Sequence, residues 1–265
     1  MEFCEITLHD EIAARRRRKI FIKVPEITAI FWFAKIMSTA FGEALSDWLN
    51  LRFDPFIVVP IAGIACLVVL LIQLFAKRYR PLLYWSAVAM VAIFGTMVAD
   101  VIHVQFGVPY LVSTIGFAII LAVILFSWWK VEKTLSIHSI HTRHREIFYW
   151  LTVIATFALG TAVGDLAAVT FHLGYLASGV IFAGIMLIPL ILSRHVFANK
   201  VSQVFVFWFA YILTRPLGAS FADFFSKPNG LNVGDGIVAI VLFLLMSVAV
   251  LFMLLNRRER QTEMN

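Results

Sequence analysis

Charge is scarce in this chain. Asp, Glu, Lys and Arg make up 14% of its 265 residues, against 61% hydrophobic, whereas a soluble domain carries about 25% charged residues. That shortage excludes a water-soluble globular protein and places most of the chain in lipid. Cysteine is nearly absent as well. The two present, Cys4 and Cys66, fall in the N-terminal segment and in an apolar run, badly placed for a disulfide and too few for a metal cage. The chain has no His-Glu-x-x-His, no Gly-x-Ser-x-Gly and no phosphate-binding glycine loop, so no enzyme activity, nucleotide drive or cofactor is expected. Its net charge of +6 does not signal nucleic acid, because the basic residues collect in loops on one side. Residues 1–22 hold the run Arg15 to Lys19 without a following apolar segment and small-residue cleavage site. They read as a cytosolic arm rather than a removed signal peptide.

What is abundant is apolar sequence in blocks of about 20 residues, the length of a membrane-crossing helix. Eight are expected, at 27–51, 55–76, 81–105, 108–129, 146–170, 173–193, 202–226 and 234–255. Eighteen of the 22 Lys and Arg residues lie in the N-terminal segment, the C-terminal segment and the loops near Lys77, Lys130 and Arg194. The opposite loops hold only Arg52 and Lys227. The positive-inside rule then puts both termini in the cytosol. The expected organisation is an arm at 1–22, one membrane domain at 23–255 and a cytosolic tail at 256–265.

One pattern recurs four times: a Trp, nine residues, a Gly, four residues, an Asp. It runs Trp32–Gly42–Asp47, Trp85–Gly95–Asp100, Trp150–Gly160–Asp165 and Trp208–Gly218–Asp223. Four copies without slippage mark an internal repeat, with repeat units at 23–77, 78–130, 146–194 and 200–255. Each unit is a helical hairpin: a polar-marked odd helix, then an almost wholly apolar even one. Two spans per unit make the four units parallel in the membrane. The expected fold is therefore an all-α polytopic membrane protein of eight helices. The odd helices would surround a central axis and the even ones would face lipid.

Within each unit the Trp stands about 22 Å of helical rise from its Asp. It reads first as an interfacial anchor and second as a gate or packing key at the inner mouth. Phe31, Tyr84, Tyr149 and Phe207 precede the four Trp residues. The mid-helix Gly suits close helix–helix approach.

The four Asp residues are the costly feature, since ionisable groups inside a membrane are expensive and usually functional. Stepping back by fours along one helix face gives Glu43, Thr39 and Lys35 behind Asp47, Thr96 behind Asp100, Thr161 behind Asp165, and Arg215 and Tyr211 behind Asp223. Five carboxylates face two bases, Lys35 and Arg215. Such an excess requires protons or a bound cation to neutralise it. The alternative is a set of fixed ion pairs between helices. Pro216 is expected to interrupt helix 7, and Lys35 and Glu43 have no counterparts in the other units. His103 and His172 near the outer mouth would, with Asp and Thr, suit a divalent metal; interfacial histidines touching water are the other reading. His138, His141 and His144 would share a face and bind metal weakly if helical, but a solvated basic loop is the favoured reading.

The run Lys23-Val24-Pro25-Glu26-Ile27-Thr28, followed by Phe31-Trp32, Gly42-Glu43 and Asp47, resembles the start of bacterial membrane proteins built from the DUF347 repeat. That family has four tandem repeats, each with two transmembrane regions and a marked tryptophan. The resemblance spans about residues 23–255 and implies the bacterial inner membrane. It brings no reaction with it, so function must be read from the site.

The expected function is a secondary transporter for a cation, such as a divalent metal, coupled to protons, with export the guessed direction. A cation channel built on an Asp ring is an alternative, and a non-transporting sensor or scaffold is another. The expected partners are the lipid bilayer and a small cation or protons.

Overall fold

The computed structural model describes residues 23–192 and 200–262. The basic arm at 1–22, Cys4, Arg194 and the last three residues of the tail lie outside the described residues. The described chain is all-helical. Its order is α1 (Ala29–Arg52), α2 (Pro55–Phe75), α3 (Pro81–Asp100), α4 (Tyr110–Glu132), α5 (Arg143–Asp165), α6 (Gly174–Leu192), α7 (Lys200–Ser226) and α8 (Asp235–Thr262). Local sequence sets several boundaries. Thr28 caps α1 by accepting from Phe31 N at 3.3 Å, Asp54 caps α2 with Pro55 as its first residue, and Thr142 caps α5. A side-chain oxygen at these positions satisfies an amide that the helix cannot, and proline loses no bond there.

Among the described residues six helical segments are long and apolar enough to cross a membrane: Pro55–Phe75, Pro81–Gln105, Tyr110–Glu132, Arg143–Thr170, Gln203–Ser226 and Asp235–Asn256. Eight were expected. α1 has the length, but Lys35, Glu43 and Asp47 lower its apolar character. The described apolar part of α6, Gly174–Pro189, is short. The tail expected from residue 256 is helical through Thr262, as a continuation of α8.

The odd helices close into a ring, α1 against α3, α3 against α5, α5 against α7 and α7 against α1. Each even helix then packs on the odd helix of the next unit rather than on its own. Thus α2 lies on α3, α4 on α5, α6 on α7 and α8 back on α1. The even helices expose rows of large aliphatic side chains, such as Ile57, Ile61 and Ile64 on α2 and Ile240, Leu244 and Leu251 on α8. Side chains of this kind belong in hydrocarbon.

The repeated glycines explain how closely the ring closes. A Cβ at Gly42 would overlap Ala92 of α3. One at Gly95 would lie 3.0 Å from the Phe157 Cβ of α5, one at Gly160 would overlap Arg215 of α7, and one at Gly218 would overlap Thr39 of α1. Each glycine thus receives the residue three positions before the glycine of the next unit. Small residues permit this approach of backbones, which supplies van der Waals contact where lipid offers no hydrophobic drive.

The aromatic pairs obey the same cyclic rule. Ring centroids are 5.8 Å apart for Phe31–Trp85, 5.6 Å for Tyr84–Trp150, 6.1 Å for Tyr149–Trp208 and 5.8 Å for Phe207–Trp32. The residue before each Trp packs on the Trp of the next unit. Trp85, Trp150 and Trp208 are buried and Trp32 half-buried, a placement that suits a packing key and not an interfacial anchor. These rings close one end of the helix ring.

Pro216 does not interrupt α7, which runs unbroken from Lys200 to Ser226. The missing side chain of Gly160 leaves room for Arg215 and the Pro216 ring at the contact of α5 with α7. Two other irregularities fall just after an Asp: π-helical turns at Val101–Gln105 and Leu166–Thr170 directly follow Asp100 and Asp165. Such turns widen a helix locally and occur often at functional positions.

Gly42→Val should destabilise the protein by about 1–3 kcal/mol, the usual cost of overpacking. Gly184→Val, in open space, should not. Thermal unfolding of the two variants in detergent checks this; equal stability would mean that the glycine seam does not set the packing.

Candidate functional site

At the end opposite the aromatic rings the helix ring opens into a cavity of about 310 Å³. Asp47, Asp100, Asp165 and Asp223, one from each unit, line it together with Glu43. Asn50, Gln105, Tyr110, Tyr175 and Lys227 complete its polar wall. The fourfold pattern therefore delivers its four carboxylates to one place. A larger depression of about 840 Å³, between α2 and the start of α3, is lined mostly by Val68, Leu71, Ile72, Phe75 and Leu83. It lies on the lipid-facing side and holds none of the repeated polar residues.

Arg215 lies beneath the cavity, bonded to its lining residue Glu43. It is 1% exposed, and its guanidinium donates to Glu43 Oε2 at 2.6 Å, to Thr161 Oγ1 at 2.8 Å, to Thr96 Oγ1, and to the Thr39 carbonyl at 3.3 Å. Glu43, Thr96 and Thr161 each follow the glycine of their unit, so one side chain on α7 ties the same position on α1, α3 and α5. Arg suits this because its planar fork presents five donors. Thr39 Oγ1 adds a bond to the Thr214 carbonyl at 2.9 Å. Of the stripes expected from the four-residue periodicity, Thr39, Glu43, Thr96, Thr161 and Arg215 are buried in this layer.

Lys35 lies deeper. It too is 1% exposed, with its ammonium 4.0 Å from the Phe157 ring centroid and 4.2 Å from that of Tyr211. Among the described residues no carboxylate pairs with it. Cation–π attraction in a desolvated place is worth about 2 kcal/mol, which offsets part of the burial cost. Beneath it Tyr84 and Tyr149 share a hydrogen bond of 2.5 Å between their hydroxyls.

The carboxylates above the floor are unequally matched. Asp47 pairs with Lys227. Asp100 Oδ2 accepts from Asn50 at 3.1 Å. Asp165 Oδ2 lies 3.8 Å from His103 Nδ1. Asp223 is buried, and its Oδ1 has no hydrogen-bond partner. One oxygen from each of Glu43, Asp47 and Asp223 lies within 4.8 Å of the others. Burial opposes the charge on Lys227, but Asp47, Asp223 and Asp235 more than offset it, so its ammonium is held above the ordinary lysine value.

The two histidines separate. His103 is buried and bonds Ser113 through Nε2 at 2.6 Å. His172 is exposed in a turn with φ +55° and does not line the cavity. Neither joins the carboxylate triangle. His138, His141 and His144 do not share a helical face, because a short 3₁₀ turn at Ile137–Ser139 ends before α5 begins at Arg143.

Sequence reasoning passed over Lys227 as a loop residue, although it stands four after Asp223 and so continues the α7 stripe. It also counted Lys23 among the arm's charges. Lys23 is buried, donating to Glu146 Oε2 at 2.6 Å and to the Leu74 carbonyl at 3.1 Å, while Gln73 donates to Glu146 Oε1 at 3.0 Å. That cluster ties the entry of the first unit to α2 and α5 at the aromatic end.

A closed ring of repeated helical hairpins, lipid-facing outside and acidic within, defines a multi-pass membrane protein of fourfold internal repeat. The chain belongs to the family described as Repeat of Unknown Function (DUF347), whose model matches it four times, at residues 30–79, 83–134, 148–196 and 206–259. No curated protein and no solved structure shows significant similarity to it.

Arg215→Met should destabilise the protein by about 3–5 kcal/mol, because it leaves the Glu43 carboxylate buried and unpaired. Adding Glu43→Gln should restore part of that loss. A double-mutant cycle by thermal unfolding checks it; strictly additive losses would mean that the two residues do not act together.

Proposed function

We propose that the protein is a secondary transporter that moves a cation across the bacterial cytoplasmic membrane in exchange for protons. The observation that carries this reading is the convergence of five carboxylates on one blind cavity. Two of them, Glu43 and Asp47, pair with Arg215 and Lys227. The other three have no Lys or Arg partner among the described residues. An excess of carboxylates in a poorly hydrated place needs protons or another cation, and exchanging one for the other is the chemistry of coupled transport. The closed floor favours a carrier over a continuous pore. Below the cavity stand Arg215, then Lys35, then the aromatic rings, and a cation entering from the acidic end meets the Arg215 guanidinium before the far side.

In this reading all eight helices span the membrane, both termini are cytosolic and the acidic cavity opens outward. The loops at the aromatic end are rich in Lys and Arg and those at the acidic end are poor, as the positive-inside rule requires. Carboxylates close to the outer face favour export.

In proteoliposomes an imposed pH gradient should drive cation flux by the wild type. Asp100→Asn and Asp165→Asn should abolish it while the protein stays folded and inserted. Normal flux in both variants would overturn the reading, and resolved single-channel currents would replace the carrier with a channel. For orientation, Asn229→Cys in a cysteine-free background should react with an impermeant maleimide in spheroplasts and Lys77→Cys should not; the reverse pattern would invert the topology.

A further inference from the structure

We propose that Glu43, Asp47 and Asp223 hold one hard divalent cation of the Mn²⁺ and Mg²⁺ class at the seam of α1 and α7. Lys227 and Arg215 are the internal cations that occupy its ligands in its absence. The proposal rests on the transport reading of the cavity and names its substrate class and binding site.

The geometry is that of a coordination sphere before the ion is added. Glu43 and Asp47 stand one turn apart on α1, and Asp223 comes from α7 across the seam. Their three oxygens lie within 4.8 Å of one another. Oxygen ligands of Mg²⁺ lie about 2.0–2.1 Å from the ion and so up to about 4.2 Å apart; a small rotation of these side chains brings all three onto one ion. Asp223 makes the triangle more than an acidic cluster. It is 6% exposed and lines the cavity, and its Oδ1 is buried with no partner. A buried acceptor left without a partner is a rare and costly arrangement.

The pairing of the other two carboxylates fits the same account. Lys227 bonds Asp47 and Arg215 bonds Glu43, each supplying the positive charge that the triangle lacks without its ion. Lys227 is on the short turn after α7 and half-buried, free to withdraw. Arg215 also holds Thr96 and Thr161, so giving up Glu43 changes how α7 is tied to α3 and α5. Ion binding is thereby coupled to the floor of the cavity.

The donors identify the ion. All three are carboxylate oxygens, and the nearby His103 is engaged with Ser113. Oxygen donors favour Mg²⁺, Mn²⁺ and Ca²⁺ over the metals that seek nitrogen or sulfur. The cavity of about 310 Å³ has room for the waters that Mg²⁺ and Mn²⁺ retain.

Electron paramagnetic resonance of free Mn²⁺, titrated with the purified full chain in detergent, tests the site. The wild type should take up one Mn²⁺ per chain, displaced by excess Mg²⁺. Asp223→Asn should weaken uptake about tenfold or more, since affinity in such sites follows ligand charge. Lys227→Gln should strengthen it, because Asp47 is released. A residue serving only the fold does not give opposite signs in these two variants, and Lys227→Gln decides alone if Asp223→Asn does not fold. Absence of uptake by the wild type, unchanged uptake by a folded Asp223→Asn, or unchanged or weaker uptake by Lys227→Gln would overturn the proposal. Mn²⁺ uptake without pH-driven flux in proteoliposomes would remove the transport reading and keep the site. Flux of another cation without Mn²⁺ uptake would do the reverse.

Discussion

The structure depends on one guanidinium near the centre of its helix ring. Arg215 is buried among four helices, and a charge in that position is tolerable only when a carboxylate and further acceptors surround it. Glu43 supplies the charge, and Thr96, Thr161 and the Thr39 carbonyl supply the remaining acceptors. The side chain therefore does two things at once. It fixes the odd helices against one another, and it divides the axis into an open acidic half and a closed aromatic half.

The fourfold repeat makes this possible by bringing equivalent positions to one level along the axis; Arg215, equivalent to Thr39, reaches the level of Glu43, Thr96 and Thr161. The aromatic rings, the glycine contacts, the Arg215 layer and the four Asp residues each take one member from each unit. In the glycine and aromatic layers every contact runs from one unit to the next. The even helices follow the same rule, and α8 closes the circle on α1. No hairpin is complete alone: each buries its odd helix under the outer helix of the preceding unit. Function enters where the repeats differ. Lys35, Glu43 and Arg215 replace apolar or hydroxyl residues found at the same level in other units, so the charges at this depth of the axis come from units 1 and 4.

Much of this was legible in the sequence because its signals are local and periodic. The helix positions follow from apolar run length, the repeat from the spacing of Trp, Gly and Asp, and the axial stripe from the step of four that runs through Lys35, Thr39, Glu43 and Asp47. The glycine role was legible for the same reason. What escaped depends on contacts between units. The burial of Trp85, Trp150 and Trp208 follows from cyclic packing, and spacing within one unit gives no sign of it. The fit of Pro216 against Gly160 joins two helices from different units. Lys227 reaches Asp47 across 180 positions, and Lys23 reaches Glu146 across 123. Turn geometry rather than spacing along a helix separates His172 from the cavity.

Arg215 stands between the acidic cavity and the closed half of the axis, and accessibility along that axis is the most direct test of its role as a barrier. In a cysteine-free background, Val104→Cys at the cavity wall and Val88→Cys in the Lys35 layer can be labelled with a small charged thiol reagent. The account predicts rapid reaction at Val104→Cys, protection at Val88→Cys, and loss of that protection when Arg215→Met and Glu43→Gln are added together. Equal reaction at both positions with Arg215 in place would contradict it.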